Sequence, residues 1–74
     1  LASGYPRETA LVLDNLGALH LVQGRYKEAI AVMEEAIAIR TAQGYRLTAA
    51  RARSNLGAVL TSLGRLDEAD RQLL

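Results

Sequence analysis

The sequence predicts an all-α fold of antiparallel helix pairs. Three observations carry that expectation: an internal repeat of 40 residues, apolar residues recurring at spacings of three and four, and glycines where helices should stop. The segment 4–34 aligns on 44–74 without gaps, and eleven of the 31 pairs are identical. Asn15-Leu16-Gly17-Ala18 recurs whole as Asn55-Leu56-Gly57-Ala58. Gly4-Tyr5 returns as Gly44-Tyr45, Gly24-Arg25 as Gly64-Arg65, Glu28-Ala29 as Glu68-Ala69, and Ala10 as Ala50. Chance matching of an Ala/Leu-rich helix would scatter alanine and leucine pairs rather than pair the glycines. Residues 1–74 therefore read as one helical-repeat fragment, with unit one over about 4–43 and a truncated unit two over about 44–74.

The first helix is expected between Pro6 and Gln23, where Leu13, Leu16, Gly17, His20 and Leu21 make one apolar or small face. Pro6 suits a first turn because its missing N–H would have no partner there. Gly24 ends the helix by supplying a positive φ. The second helix, about Tyr26 to Gln43, carries Tyr26, Ala29, Ile30, Met33, Ala36 and Ile37 on one stripe, with Val32 and Ile39 on a flank. Two stripes imply two packing partners. Glu28 near its start and Arg40 near its end oppose the helix dipole, and Gly44 follows as a terminator. The plan then repeats, with a helix from about Leu47 to Leu63, a break at Gly64-Arg65, and a further helix from Leu66. Gly17 and Gly57 lie inside helices, where glycine costs about 1 kcal/mol against alanine. Close approach of a facing helix through Ala29, Ala36 and Ala69 is the expected compensation.

Composition narrows the function. Half the residues are hydrophobic, yet there is no Phe or Trp and only three Tyr, so small aliphatic side chains must build the core. The net charge is +1 with no block of like charge, which excludes the clustered basic footprint of a nucleic-acid binder. The absence of cysteine removes disulfides and thiolate metal sites. No apolar run approaches the roughly 20 residues that cross a bilayer. A soluble, cytoplasmic protein with neither a membrane nor a nucleic acid as partner is expected. Leu1 is not a methionine and Leu73-Leu74 fall within a helical pattern, so the chain reads as an excerpt from a longer protein.

These residues resemble the tetratricopeptide repeat, whose pattern has Leu-Gly in the first helix, a glycine turn followed by an aromatic or leucine, and alanines along the second helix. Leu16-Gly17, Gly24, Tyr26, Ala29 and Ala36 match in unit one, and Leu56-Gly57, Gly64, Leu66 and Ala69 in unit two. The family's usual period is 34 residues rather than 40, and Thr41 stands where a proline typically closes the unit. Leu13 and Arg53 replace the common aromatic of the first helix. Longer units of this kind resemble those of kinesin light chain and of many bacterial multidomain regulators. The resemblance implies an α-solenoid fragment acting as a protein–protein interaction scaffold, with a peptide or partner domain held in a concave groove lined by the first helix of each unit. The alternative is a purely structural or self-assembling segment.

On that mapping Asn15 and Asn55 point into the groove, where an amide can both donate to and accept from a peptide backbone. Leu11, Asp14, Ala18, Leu21 and Val22 border it from unit one, and Arg51, Ser54, Ala58, Thr61 and Ser62 from unit two. Family members that clamp a C-terminal carboxylate use lysine where Asp14 stands and asparagine where Ala18 stands, so that clamp is not expected. The lone His20 falls on the packing stripe and reads as a half-buried core residue, with no second histidine or cysteine to hold a metal. Ser3, Ser54 and Ser62 lack the turn and the carboxylate of a catalytic pair. Glu34-Glu35 and Asp67-Glu68-Asp70 read as solvated faces, and the six glycines are too dispersed to cradle phosphate. No enzymatic activity, cofactor or metal is therefore expected. With fewer than two full units against the three or so that such arrays need for stability, the isolated chain is expected to pair with copies of itself, by end-to-end stacking or by exchange of helices.

Overall fold

The structure is a computed structural model and describes residues 5–73, with side chains described through residue 64. Three helices follow one another: α1 (Pro6–Val22), α2 (Tyr26–Ala42) and α3 (Arg46–Leu73), with no strand among the described residues. Pro6 opens α1 as expected, and Glu8 and Glu28 place a carboxylate in the first turns of α1 and α2. Neither start has a side-chain cap. Thr9 instead donates its hydroxyl to the Tyr5 carbonyl at 2.8 Å.

The first two turns are built alike. Gly24 and Gly44 adopt φ of 75° and 76°, the left-handed region that glycine enters without a Cβ clash. In the first turn the Arg25 N–H donates to the His20 carbonyl at 2.8 Å and the Gly24 N–H to Leu21 at 3.1 Å. In the second, Tyr45 donates to Arg40 at 2.9 Å and Gly44 to Thr41 at 3.1 Å. This pair of bonds is the Schellman closure, which satisfies the last free carbonyls of a helix while reversing the chain.

The reversals lay α1 and α3 on α2, antiparallel to it, in a body only 12 Å along its shortest axis. That is about the diameter of a single helix, so any stripe that does not face a neighbour in the layer faces water. Among the described residues the buried hydrophobic ones are Ala10, Ala29, Ala36 and Ala49, and no large side chain is fully buried. The helices meet through small residues, as the composition requires. A Cβ on Gly17 would lie 3.2 Å from Met33 Cγ and 3.4 Å from Val32 Cγ2, so the glycine admits a close α2. His20 is half-buried on α1 with its Nδ1 enclosed and unpartnered among the described residues. Arg7 stacks 5.4 Å from the centroid of the Tyr45 ring, which ties the start of α1 to the α2–α3 turn.

The third expected break is not made. α3 runs unbroken through Gly64-Arg65, so the structure has three helices and no separate helix from Leu66. The physical reason is the difference between propagating a helix and starting one. Continuing α3 past Gly64 adds a hydrogen bond for each residue without the cost of a new nucleus. Gly24, by contrast, turns the chain into 17 residues whose Ala29, Val32, Met33 and Ala36 all find α1 or α3. Gly57 follows suit: nothing lies within 4 Å of its Cβ position, so the close approach expected there does not occur among the described residues. Ala50, the repeat equivalent of the buried Ala10, is exposed on the same open side. The expected packing of Ala69 falls on a side chain outside those described.

The two glycines should therefore answer oppositely to substitution. Gly17→Leu should overpack the α1–α2 contact and destabilise by roughly 1–3 kcal/mol. Gly57→Ala should gain about 1 kcal/mol from helix propensity alone. Urea denaturation followed by circular dichroism reads both.

Candidate functional site

α1 and α3 flank α2 without approaching each other's backbones, and the space between them is an open groove of about 490 Å³. Its α1 wall is Leu11, Asp14, Ala18 and Leu21. Met33 and Arg40 of α2 form the floor, and Thr48, Arg51, Ala52, Asn55 and Val59 the α3 wall. The wall positions recur every three or four residues because each helix turns one face to the opening. A smaller apolar hollow of about 300 Å³ adjoins it, lined by Leu21, Tyr26, Ala58, Val59, Ser62 and Leu63.

Of the residues placed at the groove by sequence, Leu11, Asp14, Ala18, Leu21, Arg51 and Asn55 line it, whereas Val22, Ser54 and Thr61 do not. Ala58 lines the adjoining hollow instead. Asn15 is exposed on α1 and is not among the lining residues, although its repeat partner Asn55 is. The two asparagines differ because the groove has one wall from each unit. The equivalence is not exact, because Leu11 and Arg51 are repeat partners and both line the groove.

The floor holds the feature that sequence reading missed. Among the described residues Arg40 is the buried charge, 8 % exposed, and its guanidinium donates from Nη1 and Nη2 to the two carboxylate oxygens of Asp14 at 3.0 and 2.5 Å. A guanidinium cannot shed its proton to escape burial, so it must be compensated where it stands. The hydrogen bond to Asp14 holds its pKa above the usual arginine value, outweighing the opposing pull of burial, and the charge of Asp14 adds to the upward shift. Arg40 does lie in the last turn of α2, as its dipole role requires. Its partner is 26 residues away, and no local signal joins them. The pair fastens α1 to the end of α2 and takes up the carboxylate of Asp14. A second link, Arg53 Nη2 to Thr41 Oγ1 at 3.0 Å, fastens α3 to the same end of α2.

Among the described residues no group of three acidic or histidine side chains could hold a metal ion, and no helix is long and apolar enough to cross a membrane. Antiparallel helix pairs joined through glycine turns, packed by alanines and open along one groove, define a helical-repeat scaffold. The family described as tetratricopeptide repeat matches residues 8–74, and the chain belongs to it. Members of this family are non-catalytic scaffolds that bind proteins and peptides. No curated protein and no solved structure shows significant similarity to the chain.

Breaking the floor pair from one side should cost more than replacing it whole. Asp14→Ala should destabilise by about 1–3 kcal/mol, less than the loss from a fully buried pair because the Asp14 side chain is 42 % exposed. Asp14→Leu combined with Arg40→Met should recover most of that loss, and a double-mutant cycle in urea measures the coupling.

Proposed function

We propose that this chain is a protein–protein interaction scaffold whose ligand, a peptide or a segment of a partner domain, lies in the groove between α1 and α3 over α2. The groove itself carries the reading: about 490 Å³ of mostly apolar space with donors along one wall. Leu11, Ala18, Arg51 and Asn55 are the proposed contacts, with Ala58 extending the surface toward the hollow beyond Leu21. Asn55 supplies a donor and an acceptor for a ligand backbone. Asn15 is assigned instead to the outer side of α1, where a neighbouring unit or a second copy would meet it. Asn55→Ala should weaken capture of a partner or displayed peptide by at least about fivefold, or about 1 kcal/mol, while Asn15→Ala leaves groove binding nearly unchanged. Equal losses from the two would count against this placement. Thermal melts of both variants should match the parent.

Self-association is a second reading, favoured by the outer face of α1. Val12, Leu16 and Leu19 are exposed there, Val12 at 63 %. Their repeat equivalents Ala52, Leu56 and Val59 are half-buried on α3, whose one helical neighbour among the described residues is α2. The same stripe that seats α3 is thus presented unused by α1, and a second copy supplies what it lacks. Sedimentation velocity across a concentration series should show dimers or larger species for the parent chain and a shift toward monomer for Leu16→Glu. A folded monomer that persists at high concentration would remove this reading and leave the groove reading intact.

A further inference from the structure

We infer that the groove selects an acidic amphipathic peptide, with apolar side chains against α1 and a carboxylate reaching Arg51 on α3. The inference rests on the groove reading above and adds the chemistry of the ligand. The two walls differ in kind. On α1, Leu11, Ala18 and Leu21 are apolar. On α3, beside the apolar Ala52 and Val59, Thr48, Arg51 and Asn55 follow at intervals of three and four, so a hydroxyl, a guanidinium and an amide stand in a row along one helix face.

Charge then sets the sign of the ligand. Three charged residues line the groove: Asp14, Arg40 and Arg51. Asp14 and Arg40 neutralise each other in the floor pair, so Arg51 is the uncompensated charge. Arg51 is exposed and has no ion-pair partner among the described residues. From Arg46 to Gly64, α3 carries Arg46, Arg51 and Arg53 and not one aspartate or glutamate, so the field along this wall is positive and no carboxylate of α3 competes there for the guanidinium. A carboxylate can take Arg51 in a two-pronged hydrogen bond, while Asn55, one helical turn on, meets the adjoining backbone. A basic peptide would meet an unpaired cation at the rim and no free acid. A nucleic-acid strand would satisfy Arg51 with phosphate, but it would lie against an apolar wall that offers its remaining charges nothing.

Selection from a displayed random-peptide library on the intact chain, followed by anisotropy titration of the labelled winners, tests this. The expected result is enrichment of aspartate or glutamate next to leucine-like residues. Replacing the acid of a selected peptide by its amide should weaken binding at least about tenfold, as should Arg51→Glu, and added salt should weaken it further. Lysine-rich winners, winners without charge bias, or indifference to Arg51→Glu would overturn the inference. Ala18→Trp, which fills the groove from an exposed position, separates the two readings. Capture abolished by Ala18→Trp but unmoved by Arg51→Glu leaves the groove standing and sinks its acidic preference. Capture unmoved by Ala18→Trp sinks the groove itself.

Discussion

Close packing through small residues is the constraint on which the rest of this structure depends. Ala10, Ala29, Ala36 and Ala49 are the buried apolar contacts, and Gly17 lets Met33 and Val32 come to within van der Waals reach of the α1 backbone. Contacts of this size bring helices near while removing little apolar area from water. The large apolar side chains accordingly remain part-exposed along the rims of the layer, and that is why a groove exists at all.

The same constraint explains the ion pair. With so little buried hydrocarbon, the α1–α2 interface leaves room at its open end for a polar fastening, and Arg40 and Asp14 provide one that is directional where alanine contacts are not. Its consequence reaches the groove. By consuming Asp14, the fastening changes the charge that a ligand meets, so a residue holding the fold together also shapes what the scaffold can recognise.

The course of α3 shows where local signals run out. Gly24-Arg25 and Gly64-Arg65 are the same dipeptide at equivalent positions, and the first reverses the chain while the second continues a helix. A Schellman closure exchanges regular helical bonds for two turn bonds and a reversal, and it prevails when the returning segment finds a partner. For α2 that partner is α1. The segment after Gly64 continues α3 instead, and the face of α3 marked by Ala50 and Gly57 is left open.

The sequence by itself determined the all-α class, the 40-residue repeat, the reversals at Gly24 and Gly44, and the burial of Ala29 and Ala36, because helical periodicity, left-handed glycine and small-residue stripes are written within a few residues of one another. It also placed Leu11, Ala18, Arg51 and Asn55 on the walls, since a family resemblance carries the facing of a helix along with its pattern. Only the tertiary structure decided that Asp14 belongs to Arg40, that Asn15 and Asn55 part company although both open the same Asn-Leu-Gly-Ala run, and that Gly64 does not turn the chain. In each case the outcome depends on which helix lies alongside. That is a property of packing between distant segments, which a repeated local sequence does not contain.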